Sequence, residues 1–427
     1  MNWYLQAASV QSRIGQELIS RIAIRQYRVQ SIKMTQPPIA ILGAGPGGLT
    51  LARLLELKGF DYVVFERDSH RSHRPQGGSL DIHVGSGQLA VKEAGLWDDF
   101  LEFARYDAPT TITDKDGTVV FRMDPEPGEG VFDRPEIDRA ALRNLLLDSV
   151  PTSKIQWGRK VSQLSRNKDG TMSVEFQEGR IEAGFQLVVG ADGARSKARS
   201  MAIYEGLAYL ATAIDPTHSI YPKIVERAGK GTFNSVGTGK MLTLQYTGDG
   251  LYNVYIGLKL PVSWAVEGSR LLQDPPGLRK WLVEEPFADW AELVTDVIRD
   301  GEGEYRMWSL GSVPHESLNW TSVTDVTLVG DAAHVTYPNG EGVNNAMHDS
   351  LQLAQKIEEF GLNSLDRAVA EYEKLMLPRA REHVKDGLGT RELMFGQKAP
   401  EGFKKVFDEH AAQEQGKISH SKPVSVE

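Results

Sequence analysis

Cysteine is absent from the 427 residues. With it go disulfides, thiolate nucleophiles, Cys-ligated zinc and iron–sulfur clusters. Long apolar runs are missing too, none reaching the roughly 18 residues that a membrane-spanning helix needs. Nor is there an excess of basic residues. Lys and Arg number 48 against 57 Asp and Glu, a net charge of −9, so the electrostatic footprint of a nucleic-acid binder is not there. Hydrophobic residues still make up 41% of the chain, enough for a sizeable core and too many for a disordered or fibrous protein. Glycine is in surplus, 42 residues of 427 where about 7% is usual. Where those glycines stand carries most of the functional information.

Residues 1–33 carry Arg13, Arg21, Arg25, Arg28 and Lys33 against one acid, Glu17. Transit peptides have this composition, but the preferred reading is a non-native or over-extended N-terminus, because Met34 directly precedes a clean domain start. A cytoplasmic protein is expected, with mitochondrial targeting as the alternative. From about residue 411 the chain turns polar and aperiodic, as a tail does. Between these ends, short apolar runs at residues 39–42, 62–65, 185–189 and 326–329 are separated by long helical or mixed stretches. Such runs suit strands of one parallel sheet buried on both faces. Residues 206–311 instead alternate, as in Tyr252-Asn253-Val254-Tyr255-Ile256, a pattern of antiparallel strands. The expected architecture is α/β. A Rossmann-like domain occupies 36–205 and 316–360, and a substrate domain on an antiparallel sheet is inserted at 206–315. C-terminal helices fill 361–410, between an N-terminal extension at 1–35 and a flexible tail at 411–427.

The run Ile39-Ala40-Ile41-Leu42 leads into GAGPGG and an apolar helical pattern. Gly43, Gly45 and Gly48 fit GxGxxG after a strand and before a helix. The first glycine permits the tight turn, the second lets backbone approach a pyrophosphate, and the third lets helix pack on strand. Glu66 ends the next strand 23 residues after Gly43, near the roughly 20 expected for an acid that accepts from an adenosine ribose. Two more strands run into turns of related type: GADGARSKAR, with Asp192, and GDAAH, with Asp331. Asp331 can accept from a ribityl hydroxyl, and a helix starting near Gly342 can direct its positive end at an anionic ring.

Those three motifs, in that order, resemble the fingerprints of the flavin-dependent aromatic hydroxylases, the group A flavoprotein monooxygenases. Residues 77–96 (GGSLDIHVGSGQLAVKEAGL) and 132–149 (FDRPEIDRAALRNLLLDS) are similar, more narrowly, to the tetracycline-inactivating monooxygenases. The resemblance implies a GR2-type FAD-binding domain, with Gly43, Gly45, Gly48, Glu66 and Arg67 on the ADP half of FAD. It places Arg74 and Asp81 toward the flavin and nicotinamide, and Arg143 on FAD with Arg139 as the second candidate. Asp192 serves FAD and NADPH together, Asp331 holds the ribityl or pyrophosphate region, and Gly342 and Val343 open the helix at the flavin. The resemblance further implies that NADPH (or NADH) reduces FAD, that dioxygen adds to give a C4a-hydroperoxyflavin, and that one oxygen passes to an aromatic or polycyclic small molecule. No catalytic acid or base and no metal is implied. His334 is expected to be structural, and the protein a monomer or weak dimer that neither spans a membrane nor binds nucleic acid.

The chain departs from the family pattern twice. The family has P-x-x-G-Q-G after GDAAH; here Pro338-Asn339-Gly340-Glu341-Gly342 is one residue shorter and carries Glu for Gln. A carboxylate beside the flavin disfavours an anion at short range unless it points away. Asn253 stands where the tetracycline enzymes have a pocket His, which favours a related polycyclic or phenolic natural product over tetracycline itself. Residues Leu244, Tyr246, Tyr252, Val254 and Ile256 read as sheet core or pocket wall. Two other readings share the motifs: an FAD-linked reductase that transfers no oxygen, and a non-catalytic dinucleotide-binding scaffold.

Overall fold

A computed structural model describes residues 36–73, 77–124, 134–199, 203–260, 270–301, 303–397 and 399–402. The expected N-terminal extension and C-terminal tail, and Arg74, lie outside the described residues. The organising element is a five-stranded parallel sheet, ordered β17 (Val326–Leu328), β11 (Leu187–Gly190), β1 (Ile39–Leu42), β2 (Tyr62–Phe65) and β7 (Ile155–Gln156). Its three central strands, β11, β1 and β2, carry no polar side chain because both faces are buried. Ile39, Ile41, Tyr62, Val64, Leu187 and Val189 face one core, with helices α1 (Pro46–Leu57) and α9 (Gly342–Phe360). Ala40, Leu42, Val63, Phe65 and Val188 face the other. That second core is closed by an antiparallel meander, β8 (Val161–Arg166), β9 (Met172–Phe176) and β10 (Ile181–Phe185). Phe65 meets Phe176 edge-on there, with ring centres 4.9 Å apart.

The four apolar runs therefore form one parallel sheet, as their composition predicts. The run at 185–189 is split, however. Phe185 ends β10 in the meander, and the parallel strand begins at Leu187. The fifth strand, β7, has two residues, too few for any periodicity to register.

A second sheet has seven strands in the order β16 (Arg306–Ser312), β12 (Ile203–Ile214), β15 (Tyr252–Lys259), β14 (Lys240–Tyr246), β13 (Thr232–Gly237), β4 (Thr110–Thr113) and β5 (Val119–Met123). Its pairings are antiparallel except β13 with β4. It thus extends beyond 206–315, because β13 offers a free edge that the earlier residues 110–113 fill. One face is covered by α5 (Tyr221–Ala228), α6 (Pro275–Glu284) and α7 (Glu292–Asp300). Leu244, Tyr252, Val254 and Ile256 are buried against those helices, with Tyr246 at the margin. These alternating residues are sheet core. Period-two alternation then sends Gln245, Asn253 and Tyr255 to the opposite face. Helix α10 (Leu365–Phe395) ends against that face, where Phe395 packs with Leu207, Met241 and Tyr337.

Candidate functional site

Parallel register brings the three fingerprint turns together. Leu42 pairs with Gly190, and Gly190 with Leu328, so β1, β11 and β17 end side by side, and α1, the Asp192 turn and the Asp331 turn all start from that edge. The crevice beyond the carboxyl ends of such strands is where open α/β sheets bind ligands.

Each glycine of the first turn does separate work. Gly43 has φ +115°, and a Cβ there would lie 2.4 Å from the Ala191 carbonyl oxygen. A Cβ on Gly48 would lie 2.1 Å from the Gly43 oxygen. Both are required by packing. Gly45 is not: its Cβ would meet nothing within 4 Å. It leaves open space at the start of α1, where no side chain caps the helix and the first turn has no acid. Uncapped N–H groups facing such a space form an anion cradle. The residues present therefore fit a dinucleotide pyrophosphate.

Glu66, 6% exposed, accepts from the Ala44 N–H at 2.7 Å and the Asp68 N–H at 2.9 Å, tying the cradle to β2. Arg143, on helix α4 (Arg139–Asp148), is 3% exposed. Its Nε donates to the Ala44 oxygen at 3.1 Å and its Nη1 to the Arg71 oxygen at 2.9 Å, so it braces the cradle from below. Arg139 shares the helix but not the destination: its N–H donates to the Gly78 oxygen and its side chain lies near Tyr255. Arg67 is exposed.

At the second turn, Asp192 accepts from the Lys197 N–H at 2.7 Å through Oδ2, while its buried Oδ1 has no hydrogen-bond partner. Arg199 is within electrostatic reach of both Asp192 and Asp331. Its Nε and Nη1 are buried without hydrogen-bond partners; desolvation lowers its pKa against the pull of the two acids. The third turn rests on Asp349, which is fully buried. It accepts from the Gly330 N–H (2.9 Å), His334 Nε2 (2.7 Å) and Arg379 Nη2 (2.6 Å). Burial opposes its ionisation, but His334, Arg379 and Gly330 together hold its carboxyl below the usual range. Gly330 has φ +60° and sits against Ala346 of α9. Asp331 projects outward beside Gly342, the first residue of α9.

The shortened loop meets two residues that sequence reasoning passed over, His83 and Asn344. His83 Nε2 lies 2.7 Å from Asp81 Oδ2, and its Nδ1 lies 2.9 Å from Glu341 Oε1. The Asn344 side chain accepts from the His83 N–H at 2.8 Å and donates to the Asp81 oxygen at 3.0 Å. Glu341 is thus turned onto His83. The available signal was Asp-x-His, whose two side chains share one side of an extended chain.

On the facing sheet, Gln245 accepts from the Ser79 N–H at 2.8 Å and donates to the Ser79 oxygen at 3.3 Å. It fastens strand β3 (Ser79–Asp81) to the second sheet. Tyr255 lies over Gly78 and continues into an aromatic face, with ring centres 6.0 Å from both Tyr209 and Trp308. Asn253 stands opposite Gln245 on the same face. A cavity of about 440 Å³ opens farther along it, lined by Leu207, Lys259, Arg391 and Phe395 among others. Among the described residues, no group of three or more His, Asp and Glu is arranged to hold a metal, and no helix is long and apolar enough to cross a membrane.

A dinucleotide cradle joined to Asp-Gly and Gly-Asp turns defines a flavoprotein of the FAD-binding class. Residues 36–209 and 301–386 match the FAD binding domain family. The chain belongs to that family and, within it, to the group A FAD-dependent monooxygenases. Monooxygenase penA of Penicillium thymicola is 31% identical over 407 residues, covering 81% of this chain and 93% of penA. Klebsiella pneumoniae HpxO, complexed with FAD and uric acid, shares the fold at a TM-score of 0.70 and 23% identity, over 87% of this chain and 92% of HpxO. The tetracycline destructase Tet(51) shares it at 0.66 and 19%, over 92% of this chain and all of Tet(51).

Proposed function

We propose that this monooxygenase binds FAD at the three-turn crevice, takes electrons from NADPH or NADH, and places one atom of O2 into an electron-rich aromatic or polycyclic natural product. The observation that carries this reading is the convergence of the three turns at one sheet edge, with strand β3 beside both the loop at Gly340, through Asp81, and the aromatic face, where Tyr255 lies over Gly78. Gly45 and the start of α1 take the pyrophosphate, Glu66 the adenosine ribose, and Asp331 the ribityl chain. FAD, when bound, supplies the redox chemistry and the activation of oxygen. The chain's own residues position and exclude. Uncapped N–H groups receive the anionic cofactor, Gln245 and Asn344 hold the strand that carries Asp81, and the aromatic wall orders a planar ring and keeps water from it. Asn253, where the tetracycline enzymes have His, supports a substrate other than tetracycline.

The test is a panel of polycyclic phenols and nitrogen heterocycles, tetracycline included, given to the purified protein with NADPH. The expected result is a yellow protein absorbing near 450 nm, substrate-stimulated NADPH oxidation with oxygen uptake, and a product heavier by one oxygen atom. NADPH oxidation that forms a reduced product without oxygen uptake would favour the reductase reading. A colourless protein that cannot be loaded with FAD would overturn both.

A further inference from the structure

Glu341 is the N-cap residue of the 19-residue helix α9, yet its side chain does not cap it. A carboxylate there adds negative charge where the helix would otherwise present its positive end to a ligand. The structure answers that charge with His83. Both ring nitrogens of His83 face carboxylate oxygens at hydrogen-bond distance, Asp81 at 2.7 Å and Glu341 at 2.9 Å. A neutral imidazole has one N–H and one lone pair, and here the lone pair would point at a carboxylate; only the imidazolium donates to both. The His83 side chain is 14% exposed, against 37% and 41% for its partners, so the proton is the most shielded part of the triad.

We propose that His83 is a positioning residue for the flavin end of the cofactor. As an imidazolium clamped between Asp81 and Glu341, it cancels the loop's added carboxylate, turns Glu341 aside, and keeps the start of α9 positive toward the isoalloxazine. This inference rests on FAD occupying the crevice as proposed above. Without the imidazolium, Asp81 and Glu341 face one another as two negative charges; with it, the cluster carries one. Three further groups act on Glu341: Arg134, just before strand β6 (Glu136–Asp138), and His383 and Asp386 on α10. Burial opposes the charge on His83, but the two carboxylates raise its pKa to about 9. A raised pKa means the charge is present below that value and lost as pH rises through it, so cofactor affinity is level at neutral pH and falls above about pH 9.

The test measures the FAD dissociation constant by flavin fluorescence, and the flavin midpoint potential, in the full chain and in His83→Gln, Glu341→Gln and the double variant, at pH 7 and pH 10. At pH 7, His83→Gln weakens FAD by about tenfold, the effect of one uncompensated charge near the ligand at the effective dielectric of a protein surface, and lowers the potential. The double variant recovers most of both, because removing Glu341's charge removes the need for His83's. Wild type loses affinity by pH 10, and in Glu341→Gln, where Asp81 alone supports the imidazolium, the same loss sets in at lower pH. If His83 were only a mechanical clip, the double variant would bind no better than His83→Gln; that result, or a level wild-type pH profile, overturns the proposal. Should His83→Gln fail to fold, the pH profiles of wild type and Glu341→Gln decide it. Wild type that binds no FAD at any pH would instead refute the cofactor assignment.

Discussion

Asp349→Asn removes one charge from the most deeply buried acid of the third turn and should destabilise the protein by about 3–5 kcal/mol, the usual effect of breaking a buried ion pair from one side. Asp349 is fully buried and serves three donors: the Gly330 N–H and His334 through one oxygen, Arg379 through the other. Asparagine has one oxygen and one NH2. If the oxygen takes Gly330 and His334, the NH2 is pressed against Arg379. If it takes Arg379, the Gly330 N–H faces another donor, and only His334 can adapt, by switching tautomer. For a chain of this size the loss corresponds to a Tm lower by roughly 5–10 °C. The Gly330 turn carries Asp331, so FAD should also bind more weakly. Differential scanning fluorimetry, with and without added FAD, reads both effects. Because the carboxyl is held below its ordinary range, its contribution is present at neutral pH and lost as pH falls through its folded-state pKa; the gap between variant and wild type should therefore narrow in acid. A Tm within about 1 °C of wild type at pH 7 would refute the reasoning.

Gly48→Ala drives a Cβ to 2.1 Å from the Gly43 oxygen, so it should lose stability and FAD together. Gly45→Ala meets no atom within 4 Å and should keep the wild-type Tm while losing FAD; equal FAD retention in Gly45→Ala and wild type would show that the cradle is not the phosphate site. Gln245→Leu strands the Ser79 N–H and carbonyl, at about 1–3 kcal/mol, and hydrogen exchange at the Ser79 amide should accelerate; unchanged protection would place the anchor of β3 elsewhere. Arg143→Ala takes donors from the Ala44 and Arg71 carbonyls and should lower Tm in the FAD-free protein. Arg199→Ala removes a guanidinium with two buried unpartnered nitrogens; it should leave Tm level or higher while FAD affinity falls several-fold. The opposite pattern for the two arginines would reverse their roles.

The parallel sheet was legible because burial on both faces favours near-continuous apolar runs, and β1 and β2 span the residues read from the sequence, 39–42 and 62–65. The second sheet was legible by its alternation but not by its extent. Residues 110–113 join it through a parallel pairing with β13, across more than a hundred residues of chain, and no local pattern encodes such a partner. The turn glycines were legible for a related reason. A positive φ or a 2.1 Å approach restricts the residue type at one position, so the constraint is written at that position.

Charges behave differently, because a charged residue reports its partner only once the fold is known. Glu341 read in isolation is a carboxylate at the start of a helix where an anion is expected, and it argues against the flavin. His83, more than 250 positions earlier, reads as a polar residue after a short strand. The fold sets them 2.9 Å apart, and Asp81, which resemblance alone had marked, becomes the second acceptor on the same ring. The Glu-for-Gln departure is then one half of an exchange whose other half is a histidine already in place. Replacing His83 alone takes the cluster from one negative charge to two, and replacing Glu341 alone takes it to none, whereas the paired change leaves the net charge as it was. Glu341 thus depends on His83 more than His83 depends on Glu341, because Asp81 still faces the ring when Glu341 is gone, and the double variant, with the net charge of wild type and neither partner, shows whether charge or shape is what counts.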